Sequence, residues 1–358
     1  MIPVTKTYLP AIERYHEKVN EIWHSGILTN RGSLVVELEA SLKKDLNQDH
    51  LLCTSNGTIP LQIALKLYGK EGEIITTPFS YVATTAAIQW EGCKPVFVDI
   101  ERDYWTIDPQ KIIKAITPKT TCILATHVFG NPCDIESIEK IAKDYNLRVI
   151  YDAAHCFGVN YNGKSIFSFG DISTCSFHAT KIFHTAEGGA IFCNNPEDHD
   201  EVFGLHNFGH KGKLEYSGLG INAKMSELSA AMGLAVLPDM ELIFNKRKKL
   251  VDKYKTHLSN LNCISFKTRP KTEINNSYFP LEFPNQAVRE KIEKALNAEN
   301  IIPRRYFFPS LNKLPYIKSE KMPISESLAD RVLCLPLYHS LSDSEQMLVI
   351  NIIKKTLS

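Results

Sequence analysis

The chain has 358 residues, and its 41 Lys and Arg stand against 40 Asp and Glu for a formal net charge of +1. That balance argues against a nucleic-acid or anionic-membrane partner, since either favours a basic excess. With 44% hydrophobic and 23% charged residues, the composition is that of an ordinary globular protein with a large core, which excludes a disordered chain.

At roughly 150 residues per domain, the length allows two domains or one large domain with an appendage. Asn56-Gly57-Thr58 forms a turn ahead of a helix predicted over Ile59 to Leu67. Glu73-Ile-Ile-Thr-Thr77 predicts a buried strand that Pro78 ends. Tyr81 to Trp90 reads as helix and Pro95-Val-Phe-Val-Asp99 as the next strand. Thr121 to Thr126 is another strand, followed by a helix that Asp134 opens as N-cap, with Ile135, Ile138 and Ile141 on one face. Leu147 to Asp152 returns to strand, as do Ile172 to Phe177 and Gly189 to Cys193. Repeated strand–helix–strand units predict an α/β fold with a mostly parallel sheet between helices.

Residues 224–258 predict a long helical stretch interrupted at Pro238, ending in the basic segment Asn245-Lys-Arg-Lys-Lys249, which reads as a solvated helix face. Cys263 to Phe283 is strand-like with prolines, Ala287 to Asn300 is helical, Pro303 to Pro315 is proline-rich, and a last helix runs near Ser344 to Thr356. The expected division is a large domain over 1–245 and a small C-terminal α+β domain over 246–358.

Nine cysteines are scattered from Cys53 to Cys334, with no C-x-x-C pair and no structural-zinc spacing, so no metal is expected. Met1-Ile-Pro-Val-Thr-Lys6 has no apolar signal core, and no run of ~18 apolar residues predicts a membrane span. Free thiols in a reducing cytoplasm are the expectation.

Gly158-Val-Asn-Tyr-Asn-Gly163-Lys164-Ser165 fits the phosphate-loop pattern G-x-x-x-x-G-K-[ST]. That motif needs a helix directly after it, so that helix N-terminal amides meet the phosphates. The aromatic, glycine-broken Ser165-Ile-Phe-Ser-Phe-Gly170 follows instead. Asn162-Gly163 therefore predicts a hairpin turn.

Three segments carry a different chemistry. Asp152-Ala-Ala-His155 places a carboxylate at the carboxyl end of a strand, where it stays charged only beside a cation or strong donors. Ser176-Phe-His-Ala-Thr-Lys181 leaves another strand, and Glu187-Gly-Gly-Ala190 follows. Asn56-Gly57-Thr58 offers amides and a hydroxyl at a helix N-terminus, which suit a phosphate. Together they supply what a pyridoxal phosphate site needs: a lysine for the Schiff base, a carboxylate for the pyridine nitrogen, a phosphate seat, and Tyr81 as ring cover. Singly, each residue has a plainer role as cap, turn hydroxyl, core ring or structural histidine. Only their joint order and strand-end placement point to a site.

At these residues the chain resembles the sugar aminotransferases of the DegT, DnrJ, EryC1 and StrS family, a branch of fold-type I pyridoxal phosphate enzymes. The likeness also takes in Ser25-Gly-Ile-Leu-Thr-Asn30, Thr76-Thr-Pro-Phe-Ser-Tyr-Val-Ala-Thr84, Gly220-Ile-Asn-Ala-Lys-Met225 and Leu335-Pro-Leu-Tyr338. It implies that 1–245 binds the cofactor, Lys181 carries the Schiff base and Asp152 contacts the pyridine nitrogen. Gly57, Thr58 and Ser176 would hold the phosphate, Tyr81 would stack on the ring, and His155 would lie near its hydroxyl side. Asn222 would reach the phosphate of a neighbouring subunit, making the active site a property of a homodimer. Arg305 and Tyr306 would lie near the nucleotide-sugar.

Family dehydratases carry His where this chain has Lys181, so the resemblance implies transamination. L-glutamate would be the amino donor. The most similar-looking members act on dTDP-4-keto-6-deoxyglucose, giving dTDP-4-amino-4,6-dideoxyglucose for surface polysaccharide such as O-antigen. Two alternatives stay open: a 3-aminotransferase for the 3-keto isomer, and a non-catalytic sugar-binding or regulatory protein on the same fold.

Overall fold

The computed structural model describes residues 1–212 and 214–357. Seven strands make its central sheet: β1 (Leu51–Thr54), β2 (Glu73–Thr76), β3 (Lys94–Phe97), β4 (Thr120–Thr126), β5 (Arg148–Asp152), β6 (Ile172–Ser176) and β7 (Gly189–Cys193). Their order across the sheet is β1-β7-β6-β5-β4-β2-β3. Strands β2 to β6 pair in parallel, while β7 runs antiparallel to both of its neighbours. Each strand predicted between residues 73 and 193 is present, with ends shifted by at most two residues.

The central strands are buried over most of their length because helices cover both faces. Alternate residues of β4 enter separate cores, as the two-residue period requires. Ile123 and Ala125 meet Ile135, Ile138 and Ile141 of the helix Ile135–Tyr145, which Asp134 caps by accepting from the Ser137 amide. Cys122 and Leu124 meet Leu61, Ala64 and Leu65 of the helix Ile59–Tyr68 on the other face.

Asn162 and Gly163, at φ of 50° and 74°, turn the chain between strands Asn160–Tyr161 and Lys164–Ser165, which pair antiparallel. A short 3-10 turn follows, not an α-helix, so no phosphate loop forms.

The stretch over 224–258 breaks as expected around Pro238, giving helices Glu227–Val236 and Met240–Leu258. The second helix joins two cores. Met240 and Ile243 lie in the sheet core, whereas Leu250, Val251, Tyr254 and Leu258 lie in a second one. Its basic segment is not wholly solvated: Arg247 is buried and donates to the Leu337 carbonyl at 2.8 Å. Cys263 to Phe283 contains only the short strands Thr272–Glu273 and Pro280–Glu282. The rest is irregular because side chains take its backbone groups; Asn131, for one, accepts from the Arg269 amide.

The helices Gln286–Ala298 and Asp343–Leu357 build the second core around the antiparallel strands Pro280–Glu282 and Val332–Cys334. Ile2–Pro3 pairs in parallel with Ile301–Ile302, and Ile2 is part of this core. The expected 245/246 boundary falls inside the helix Met240–Leu258, which contributes to both cores. Two features seam the cores together. An apolar cluster brings Phe79, Trp105 and Phe129 against Phe307, Leu328 and Val332. Asp99, beyond β3, accepts from the Ile324 and Ser325 amides at 2.8 and 2.9 Å, capping the helix Pro323–Arg331 from outside.

All nine cysteines are free, and only Cys263 is partly exposed. Among the described residues no helix is long and apolar enough to cross a membrane.

Candidate active site

The polar residues singled out in the sequence converge where parallel strands end, the edge at which open α/β sheets bind ligands. Asp152 closes β5, Ser176 closes β6, Asn56 to Thr58 follow β1, and Ser80 and Tyr81 follow β2. With Lys181 and His155 they line a cavity of about 240 Å³, closed from the C-terminal side by Tyr278, Arg304, Tyr306 and Phe307.

Asp152 is 5% exposed and held by a chain of hydroxyls. Thr84 Oγ1 donates to Asp152 Oδ2 at 2.7 Å, Ser80 Oγ lies 2.7 Å from Thr84 Oγ1, and Thr126 Oγ1 donates to Ser80 Oγ at 3.0 Å. The Ala154 amide meets the other carboxylate oxygen at 3.2 Å. Burial pushes the carboxyl up from its ordinary range, while Thr84, Ala154 and the Lys181 amine pull it back. Thr84 lies in the first turn of the helix Val82–Trp90, and Ser80, just before its N-cap Tyr81, reaches the carboxylate only through Thr84. Thr84→Val, which keeps the shape and removes the donor, is expected to lower kcat about tenfold and to cost about 1–3 kcal/mol of stability by leaving Asp152 Oδ2 short of a partner, measured by steady-state kinetics beside thermal denaturation.

Burial lowers the Lys181 amine from its ordinary value, with Asp152 acting in the opposite sense. Its Nζ lies 3.4 Å from the Tyr278 hydroxyl. His155 is also buried, and burial followed by the charge of Lys181 drives its pKa well below the ordinary value, leaving a neutral ring. Its Nδ1 accepts from the Phe129 amide at 3.1 Å, so the ring proton resides on Nε2. Phe307 stacks nearly parallel to it, with centroids 5.8 Å apart.

At the turn after β1, Asn56 Oδ1 accepts from the Thr58 and Ile59 amides at 2.9 and 3.0 Å. Those two helix N-terminal donors, expected to be free for a phosphate, are spent on Asn56. What remains for an anion is the Gly57 backbone with the hydroxyls of Thr58 and Ser176. Gly57 has no substitute: a Cβ there would lie 2.6 Å from Ser176 Cβ. The glycine pair before Ala190 serves the same closeness, since a Cβ on Gly189 would lie 2.5 Å from the Asn56 carbonyl oxygen.

Gly57, Thr58, Tyr81, Asp152, His155, Ser176, Lys181 and Tyr306 thus share one cavity. Arg305 lies outside it, and so does Asn222, whose expected place is the neighbouring subunit's site. Asn222 is exposed on the segment after the helix Pro196–His206, bridged to Asn207 and outside the cavity. Arg305 stacks its guanidinium 3.4 Å from the Phe308 ring centroid and faces Asp330 at 3.6 Å. Its neighbour Arg304 lines the cavity instead, over the Tyr306 ring at 4.5 Å. Around the bridge of Arg304 to Cys334 the backbone is extended, and successive side chains there point opposite ways. Thr84, Ser80, Thr126 and Tyr278 were not foreseen as site residues, although Thr84 and Ser80 lie within the quoted Thr76–Thr84 segment.

Residues 11–354 match the model of the DegT/DnrJ/EryC1/StrS aminotransferase family. A dTDP-4-amino-4,6-dideoxy-D-glucose transaminase of Escherichia coli is 40% identical over 352 residues, covering 96% of this chain and 95% of that protein. A GDP-perosamine synthase of Escherichia coli O157:H7 is 32% identical over 351 residues, covering 96% and 95%. The crystal structure of DesI in the presence of its TDP-sugar product is similar at a TM-score of 0.94 and 31% identity, covering 99% of this chain and 92% of that one. A family match over nearly the whole length, on a fold that assembles Lys181 and Asp152 at one cavity, places the chain in the DegT/DnrJ/EryC1/StrS aminotransferase family.

Proposed function

We propose that this sugar aminotransferase moves the amino group of L-glutamate to the 4-keto group of dTDP-4-keto-6-deoxy-D-glucose. The products are 2-oxoglutarate and dTDP-4-amino-4,6-dideoxy-D-glucose, which supplies surface polysaccharide synthesis in the cytoplasm. The carrying observation is a buried carboxylate and a lysine of lowered pKa on one strand-end cavity. The likeness to the Escherichia coli transaminase supports the choice of sugar.

Aminotransferases of this family depend on pyridoxal phosphate. The residues present fit that group. Asp152 would face the pyridine nitrogen, and Gly57, Thr58 and Ser176, which all line the cavity, would hold the phosphate, the missing side chain at Gly57 letting it pack directly on Ser176. Tyr81 would cover the ring, and His155 would meet its hydroxyl side with a neutral donor. Bound pyridoxal phosphate supplies an electron sink for charge left on the substrate carbon. The chain's own part is charge placement and proton movement. The Thr84–Ser80–Thr126 hydroxyl chain fixes Asp152 so that its negative charge needs no reorganisation. Lys181, with an amine favoured by burial, takes a proton at Nζ and returns it. Arg304 is placed to meet an anionic group of a substrate.

The functional unit is a homodimer. Leu214, Tyr216 and Leu219 are widely exposed on the same segment as Asn222, which supports a second copy covering them.

The test offers the enzyme L-glutamate with dTDP-4-keto-6-deoxyglucose or its 3-keto isomer and identifies the product by NMR. A 4-amino sugar is expected. A 3-amino sugar would move the reading to the isomer, and sugar binding without amino transfer would support a non-catalytic protein.

A further inference from the structure

Tyr278 comes from the irregular stretch before Pro280–Glu282, remote in sequence from Lys181, and its neighbours Asn275 and Ser277 anchor that stretch beside the cavity. Asn275 Nδ2 donates to the His155 and Phe157 carbonyls at 2.8 and 2.9 Å. Ser277 Oγ donates to the same His155 carbonyl at 3.3 Å, and the Ser277 amide donates to Asn275 Oδ1 at 3.1 Å. Buried Arg247 reaches the Ser277 carbonyl at 3.4 Å. These bonds clamp the segment onto the loop that carries His155. They set the Tyr278 ring 4.7 Å from the imidazole and 5.4 Å, edge-on, from Tyr306. The ring can then present its hydroxyl in one direction, toward Lys181 Nζ at 3.4 Å.

We propose that Tyr278 is a positioning residue for Lys181, its hydroxyl tethering the amine against the cavity wall whenever Nζ is not otherwise bound. The hydroxyl accepts from the ammonium form, so the tether favours the state of Lys181 that holds the proton it must later release. Burial pushes the phenol up, so it keeps its own proton throughout. The contact is long for a hydrogen bond. The inference rests on Lys181 being the reactive amine.

Tyr278→Phe keeps the ring and its stacking and removes only the hydroxyl. The first readout is the pH dependence of Lys181 labelling in the full chain freed of bound cofactor by dialysis against hydroxylamine, using acetic anhydride and peptide mass spectrometry. Asp152, Cys156, Cys175 and Tyr81 also act on the amine, as does the neighbouring His155, and all stay unchanged in the variant. Loss of an acceptor for the ammonium should lower the labelling midpoint by about one pH unit. In the loaded enzyme kcat should fall about tenfold with KM for glutamate held within twofold. A midpoint that stays or rises, or an unchanged kcat, overturns the tether. A wild-type Lys181 that labels like an exposed lysine would instead overturn the underlying reading.

Discussion

Lys181→Ala should lower amino transfer by at least ~10³-fold while the protein keeps its fold, because one side chain supplies both the nucleophile and the proton carrier. The side chain lines the cavity and is not a core residue, so its truncation leaves the packing of both cores intact. Circular dichroism and the melting curve should match the wild type. Added methylamine should restore part of the rate, since the truncation opens room for a small amine beside Tyr278 and Asp152. Its benefit should grow as pH rises toward the pKa of the free amine. Wild-type Lys181, whose pKa burial lowers, should hold its rate to lower pH than the rescued variant. Full turnover in Lys181→Ala without any added amine would sink the proposed mechanism.

Asp152→Asn should lower kcat by about 10²–10³-fold, the scale seen when one preorganised electrostatic group is removed. The amide has the carboxylate's shape, and the Thr84 hydroxyl can turn to accept from its NH₂ while donating to Ser80. Geometry is thus kept and only charge is lost. Cofactor retention should weaken less than turnover, because Gly57, Thr58 and Ser176 are untouched. The two effects separate by titrating pyridoxal phosphate into the variant and then measuring kcat at saturation. If saturating cofactor restores wild-type kcat, Asp152 only helps binding, and its assigned electrostatic role is wrong.

The parallel strands were legible because each is a short apolar run closed by a polar residue or proline, and the strand ends carry the chemistry. Direction was not legible in Gly189–Cys193, whose residues alternate alike read either way; only the register against Ser176 and Thr54 shows it reversed. Lys181 and Asp152 stood out because each closes or follows a strand. Thr84 did not, since its partner lies 68 positions away and a threonine in a helix has many plainer reasons. Tyr278 was hidden by a stretch with no periodicity, shaped by side-chain bonds from Asn275 and Arg247. Arg304 and Arg305 differ by one position, and only the local backbone decides which one turns inward. The basic run at 245–249 concealed a buried arginine because charge alone does not tell which face of a helix meets a carbonyl.

Because Ile2 pairs with Ile301, the first strand of the chain must wait on the ribosome while about 300 further residues are made, on the order of 15–60 s. The seven-stranded sheet is fully synthesised once Cys193 has emerged and can assemble in that interval. Phe79, Trp105 and Phe129 then stand uncovered until Phe307 arrives. Newborn chains therefore pass through a stage with a sticky aromatic face and an unpaired leading segment, the period in which a chaperone has most to shield.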